Sequence, residues 1–293
     1  MKVDFFIVGA PKAGTTSLYH YLNEHPEVRM SSQKEPDYFS DKAIQEKGMY
    51  YGKNRINTLD KYESLFTQEK GVIYGESSVS YLFYENVAED IKRYNPDAKI
   101  IIILRNPIDR AFSHYLMDYR LGLVSDSFED IIYKRSKHKS AYLFYQQYIE
   151  VSQYSNQIQR YLHVFSKDNL LLIDYENFKK DVAGCVDIVY SFLNISAEFA
   201  ADVNTKHNTF TMPRNKGIRF IYSFTFLRKI LAFIFPDSLV KSIRGFLFKD
   251  DKKPKLLKET RSYLKQFFSD DIRLLGDILD KDYSKWIKKE KNQ

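Results

Sequence analysis

Cysteine is nearly absent. The chain of 293 residues holds one, Cys185, so no disulfide can form within it. A lone cysteine in an apolar stretch is expected to be a small core residue. No cluster of cysteine and histidine has the spacing of zinc ligands, which excludes a zinc module. No window supplies the ~20 uninterrupted apolar residues of a membrane-spanning helix. Met1-Lys2-Val3-Asp4 runs straight into an apolar strand and leaves no room for a secretory signal peptide. These absences predict a cytoplasmic protein. There is no internal repeat and no glycine/serine linker, so a single domain over 1–293 is expected, with its core over about 3–217.

Aromatic residues, by contrast, are abundant at 16%, with 23 Tyr and 22 Phe. That much ring surface can bury a sizeable core and argues against disorder. The formal net charge is +7. Such a balance suits an anionic partner, whether nucleotide, acidic glycan, nucleic acid or membrane surface, without choosing among them.

Apolar periodicity divides the chain into alternating strands and helices. Strands are expected at 3–8, 28–30, 72–76, 99–104 and 169–176. The run Lys99-Ile100-Ile101-Ile102-Ile103-Leu104 is the strongest and fits an interior parallel strand. Helices are expected at 15–23, 86–94, 108–122, 126–136, 144–162, 178–193 and 256–279. Residues 41–70 show no dominant period and suggest short helices and loops. The alternation implies βαβ units, an α/β fold with a central parallel β-sheet flanked by helices. A helical C-terminal extension over about 218–293 follows. Within it, 218–248 is apolar but interrupted by cations and by Pro236. It is expected to pack on the core, or to offer a basic amphipathic surface for peripheral contact with the inner membrane face.

The chemistry gathers around Phe5-Phe6-Ile7-Val8-Gly9-Ala10-Pro11-Lys12-Ala13-Gly14-Thr15-Thr16-Ser17-Leu18. A buried strand stops at a glycine, a turn follows, and a helix begins. Amides at a helix start converge on an anion, and the helix dipole favours negative charge there. Lys12 adds a cation, and Thr15, Thr16 and Ser17 add hydroxyl donors. Gly9 and Gly14 have the glycine spacing of a nucleotide-triphosphatase loop. The lysine such a loop carries directly after its second glycine is missing, because Thr15 stands there.

The second anchor is Arg105, at the end of the strongest strand, with Ser113 eight residues on. Ligands of open parallel sheets bind at the carboxyl ends of the strands. An arginine there offers a planar fork of donors to a phosphate, and Ser113 lies two helical turns away. A magnesium-dependent kinase would need a carboxylate at such a strand end. Only the strand ending in Asp174 offers one, so an ATP-dependent P-loop kinase stays open as an alternative. Cations at two sites suit a donor held without metal, and no metal ligands are expected.

Together, P-K-A-G-T-T-S-L and L-R-N-P-I-D-R-A-F-S resemble the donor-binding segments of sulfotransferases that use PAPS (3′-phosphoadenosine 5′-phosphosulfate). The resemblance is nearest to the heparan-sulfate and glycan branch with its bacterial relatives, and it spans roughly 3–195. It implies a P-loop-like fold and sulfuryl transfer to an acceptor hydroxyl or amine, with PAP (3′-phosphoadenosine 5′-phosphate) as product. The acceptor implied is a glycan or glycolipid; nucleic acid is not expected as a partner, and the sequence is silent on oligomeric state. It assigns Pro11 to Ser17 to the phosphosulfate, and Arg105 and Ser113 to the 3′-phosphate. Arg214, Lys216 and Gly217 fit a late basic loop closing over the nucleotide. Glu35, in K-E-P-D-Y-F, fits the general base, and Lys12 the charge stabiliser. His20 and His114 are rival bases, with a place on a helix surface as their plainer reading. One departure stands out. In Glu76-Ser77-Ser78-Val79-Ser80-Tyr81, Ser77 occupies the place of a lysine frequent in that branch. The third alternative is a non-enzymatic, membrane-associated nucleotide-binding module built on 218–248.

Overall fold

The computed structural model describes residues 2–48, 55–203, 212–213, 248–249 and 254–288, with the backbone alone at 212–213 and 248–249. Arg214, Lys216, Gly217 and the stretch 214–247 lie outside the described residues, so the expectations for them are untouched.

Five parallel strands form the sheet: β1 (Phe5–Gly9), β2 (Val28–Met30), β3 (Ile73–Ser77), β4 (Lys99–Leu104) and β5 (Leu170–Asp174), in the order β2-β3-β1-β4-β5. Parallel neighbours need crossovers, and helices supply them. The helices up to β4 are α1 (Thr15–Glu24), α2 (Asp41–Lys47), α3 (Leu59–Glu63) and α4 (Val87–Tyr94). Between β4 and β5 come α5 (Pro107–Arg120), α6 (Phe128–Ile132), α7 (Ala141–Tyr148) and α8 (Ser155–Val164). After β5 follow α9 (Tyr175–Lys180), α10 (Val182–Leu193), α11 (Lys258–Phe267) and α12 (Ser269–Leu279). Met212–Pro213 and Phe248–Lys249 pair as a short antiparallel ribbon, β6 and β7.

β1 and β4 are interior neighbours, and β1 is buried at every residue. Ile100 to Leu104 are likewise sealed from solvent. Each such aliphatic side chain contributes about 1.5–3 kcal/mol on burial. Gly75 on β3 permits this density, since a Cβ there would come within 2.1 Å of Phe5. The register sets the ends of β1 and β4 side by side, and the Ala10 amide donates to the Ile103 carbonyl at 2.9 Å. The two chemistry-bearing segments therefore leave the sheet at adjacent points.

Four expected helices are shorter or divided. Residues 126–136 give only α6, because Lys134 turns left-handed at φ 57° and the Arg135 amide returns to the Asp130 carbonyl at 2.7 Å. Residues 144–162 split into α7, a 3-10 turn at Glu150–Ser152, and α8. The cause is Arg110, a fully buried cation that takes the Gln147 and Tyr148 carbonyls at 2.5 and 2.9 Å. A continuing helix would need those oxygens for its own ladder. Residues 178–193 break at Asp181, whose carboxylate caps α10 through the Gly184 amide at 2.9 Å. Residues 256–279 divide at Phe268 into α11 and α12. Asp271 of α12 accepts from the Tyr154 and Ser155 amides at 2.8 and 3.1 Å, capping α8 across the fold. Cys185 is buried in α10, as a small core residue should be.

Candidate active site

The loop after β1 turns on two left-handed residues, Lys12 at φ 67° and Gly14 at φ 91°. Only glycine is comfortable in that region, and at Gly14 a Cβ would also press to 3.0 Å from the Phe178 ring. No side chain caps the start of α1, and no acidic residue sits in its first turn. The opening amides thus have no capping side chain and no competing carboxylate in the first turn, a setting that favours an anion. Thr15 is buried, while Thr16 and Ser17 are part-exposed.

Arg105 ties the second segment to this loop. Its Nη1 donates to the Lys12 carbonyl at 2.7 Å, and its guanidinium stacks 4.6 Å from the centre of the Tyr175 ring. Its Nε is buried with no hydrogen-bond partner. A buried charged donor left open costs on the order of 1–3 kcal/mol, a cost that an anion accepting from it relieves. Ser113 is part-exposed on α5. Met117 and Arg120 follow at helical spacings of four and three, so the three share one stripe. Lys12 Nζ reaches Met117 Sδ at 3.3 Å, which turns this stripe toward the loop.

Lys12 is enclosed strongly enough to matter chemically. Burial is the main cause that pushes its pKa down to about 8, helped by the positive charges of Arg120 and Arg105 and opposed by Asp118 and Glu35. Two cations and two carboxylates therefore surround one ammonium. Met117, Asp118 and Arg120 were not foreseen as site residues, although a helical count from Ser113 points at the first and last of them.

Glu35 reaches this neighbourhood from a loop with its own unusual backbone, φ 57° at Glu35 and 52° at Asp37. The segment Glu76–Tyr81 holds that loop. The Glu35 amide donates to the Ser77 carbonyl at 2.9 Å, and the Asp37 amide to Ser78 Oγ at 3.0 Å. Ser80 Oγ donates to Asp37 at 2.5 Å, and the Phe39 amide to the Tyr81 hydroxyl at 3.3 Å. Beneath them the buried Glu76 carboxylate accepts from Tyr62 and Tyr81 at 2.6 and 3.1 Å. Lys34 Nζ sits 2.5 Å from the Glu35 carboxylate, whose side chain is 45% exposed. Ser77 is fully buried and its Oγ has no partner, so this position carries a backbone anchor rather than a charge.

The rival residues occupy other settings. His114 is buried, not on a helix surface, and its Nδ1 lies 3.3 Å from Arg110. Burial and the Arg110 charge push its pKa well down, so it is a neutral packing residue. His20 is part-exposed on α1 with its ring edge-on to Tyr19. Asp174 is engaged by Lys281 at 2.7 Å and by the Tyr283 hydroxyl at 3.1 Å. The carboxylate a kinase would offer to magnesium is thus committed to the C-terminal segment. Among the described residues no group of three or more His, Cys, Asp or Glu is placed to hold a metal ion, and no helix is long and apolar enough to cross a membrane.

This arrangement is that of a known fold family. Residues 2–229 match the family described as the sulfotransferase domain, and the chain belongs to it. Among its relatives is the bifunctional heparan sulfate N-deacetylase/N-sulfotransferase 2 of Bos taurus, 29% identical over 199 residues, 66% of this chain and 22% of that protein. Carbohydrate sulfotransferase 15 of Mus musculus is 26% identical over 243 residues, 65% of this chain and 43% of that one. The chain thus spans less than half the length of either. The crystal structure of a sulfotransferase from Alicyclobacillus acidocaldarius superposes with a TM-score of 0.70 at 28% identity, covering 98% of this chain and 100% of that one.

Proposed function

We propose that the chain transfers a sulfuryl group from PAPS to a hydroxyl or amine of a carbohydrate acceptor, with Glu35 as general base. The observation that carries this reading is the meeting of two segments from distant parts of the chain. Lys12, on the loop that Arg105 holds, feels the charge of Glu35, on the loop that Ser77 and Ser78 hold. A cation for a developing phosphate charge and a carboxylate for an acceptor proton are the two groups an in-line sulfuryl transfer requires.

The residues fit the donor. The uncapped start of α1 and the open Nε of Arg105 are both sites for anionic oxygen. Pro11 to Ser17 would hold the phosphosulfate, with Arg105 and Ser113 at the 3′-phosphate and the Arg214–Gly217 loop adding to the nucleotide contacts. When bound, PAPS supplies the sulfuryl group. Lys12 stabilises negative charge at the leaving phosphate, and Glu35 accepts the acceptor's proton on its carboxylate. Lys34, 2.5 Å from that carboxylate, would help to aim it at the acceptor.

The test is calorimetry with PAP beside a PAPS assay on a panel of glycans, glycolipids and phenols. Glu35→Gln should bind PAP like the parent and lose transfer by about two to four orders of magnitude. Tight ATP binding without PAP binding would sink the proposal.

A further inference from the structure

No acidic residue stands between Asp130 and Glu150, while Lys134, Arg135, Lys137 and Lys139 crowd into one loop. This loop joins α6 to α7, and all four cations are exposed. We propose that it is a binding surface for a polyanionic glycan, the acceptor chain extending from the transfer centre; the inference rests on the proposed sulfuryl transfer to carbohydrate.

The loop is ordered in advance of any partner. The Arg135 and Ser136 amides both return to the Asp130 carbonyl, at 2.7 and 3.0 Å. The His138 amide donates to Ser136 Oγ at 3.2 Å, and the Ser140 amide to His138 Nδ1 at 3.0 Å. Lys134 lies 4.5 Å above the Tyr145 ring, and Arg135 4.9 Å above Tyr133. Arg135 has one exposed ion pair, with Asp130 at 3.4 Å. Lys134, Lys137 and Lys139 have no acidic partner among the described residues. Four like charges held together repel one another, and a partner of opposite charge removes that repulsion.

The surface connects to the transfer centre in two ways. Tyr148, the last residue of α7, donates its hydroxyl to Asp118 at 2.8 Å, beside the Met117 that Lys12 touches. The loop lies at the other end of α7, eight residues or about 12 Å away. Between them, Gly48 at the end of α2 approaches Leu143, and Lys47 lies 5.5 Å above the Phe83 ring. Tyr142, 59% exposed, stands open at the start of α7 beside this strip. Lys47 and the exposed Tyr142 thus lie on α2 and α7, two elements that meet between Tyr148 and the loop.

The chemistry favours a glycan over other polyanions. A membrane anchor needs apolar side chains, and residues 134–140 contain none. A single-stranded nucleic acid needs several free ring faces for its bases, and Lys134 and Arg135 already lie over the Tyr145 and Tyr133 rings. Carboxylates and sulfates along a sugar chain need only the cations, with Tyr142 as one platform.

The probe is a heparin decasaccharide, titrated into the full chain at several salt concentrations. In K134S/R135S/K137S/K139S its affinity should fall by about tenfold or more, the salt dependence should flatten, and PAP binding should stay unchanged. With an anionic decasaccharide as acceptor, KM should rise by a similar factor at constant kcat, and a disaccharide acceptor should show no change. K137E/K139E alters only two exposed side chains and should weaken heparin binding as well. Heparin binding by either variant within twofold of the parent would overturn the proposal. So would equally tight binding of the parent to polyuridylate or to phosphatidylserine vesicles. Heparin binding by the parent without transfer from PAPS to any glycan would count against the proposed reaction and support the surface.

Discussion

Lys12 and Glu35 both stand at positive φ, 67° and 57°, yet they are held by different means. The Lys12 loop is fixed by the backbone of β1 and β4 and by one arginine, through the Ala10–Ile103 and Arg105–Lys12 bonds. The Glu35 loop has one backbone bond, from the Glu35 amide to the Ser77 carbonyl, and is otherwise fixed by side chains, Ser78, Ser80 and Tyr81, with Glu76 below them. A left-handed residue other than glycine costs about 1–2 kcal/mol, and it persists where surroundings over-determine it. The donor half therefore inherits its geometry from the sheet. The acceptor half depends on a polar network that can be altered one hydroxyl at a time.

The largest effect should come from removing the groups themselves. Lys12→Ala takes away the cation beside the loop amides, and the rate of transfer from PAPS should fall by about a thousandfold. PAP affinity should fall with it, which sets it apart from Glu35→Gln. Equal PAP affinities in the two variants would show that the donor and acceptor halves are not separate.

Arg105→Lys should come next. A lysine cannot both stack on Tyr175 and donate to the Lys12 carbonyl with a planar fork. PAP affinity should drop roughly ten- to a hundredfold, the range of one or two charge-assisted hydrogen bonds. An unchanged affinity by calorimetry would mean that the sheet alone shapes the loop.

Tyr81→Phe probes the other half. It removes the fully buried hydroxyl that accepts from the Phe39 amide and donates to the buried Glu76. Stability by urea unfolding should fall by about 1–3 kcal/mol. In addition kcat should fall while PAP affinity holds, because Glu35 loses its support and Lys12 does not. A loss of stability with kcat intact would reduce the network to packing.

This division also explains what the amino-acid sequence discloses. The donor half is made of contiguous stretches, Phe5–Leu18 and Ile100–Arg105, so strand, turn and helix start are legible by periodicity and by one glycine spacing. The acceptor half is made of bonds between residues some 40 positions apart, such as Asp37–Ser78 and Ser80–Asp37. Single-residue chemistry does not announce them; Ser77 looks like a missing cation until its carbonyl is seen holding the Glu35 amide. The split of 144–162 has the same origin. Its apolar stripe is real, and Tyr148, Tyr154, Ile158 and Tyr161 are all buried, but Arg110 from another helix claims the carbonyls that would have kept it continuous. Asp174 stands at a strand end, where a metal-binding carboxylate would stand, and only the distant Lys281 and Tyr283 reveal that it is taken.

The smallest expected effect is the sharpest test of the Lys12 surroundings. With a pKa of about 8, Lys12 loses its proton as pH rises through that value, and PAP affinity should fall above it, by up to roughly tenfold per pH unit. The stability sign is opposite. Between about 8 and the ordinary 10.5 the unfolded chain binds more protons than the folded one, so the cost of burying the ammonium fades and stability rises with pH in that window. Arg120 is the leading charge that lowers this pKa, and it shares the α5 stripe with Ser113 and Met117. Arg120→Gln should therefore move the falling limb of PAP affinity to higher pH, even if affinity at pH 7 declines slightly from the lost attraction. A limb that stays in place, measured by calorimetry across pH 7 to 10, would place Arg120 out of reach of Lys12 and leave burial, with the charge of Arg105, as the cause of its weak basicity.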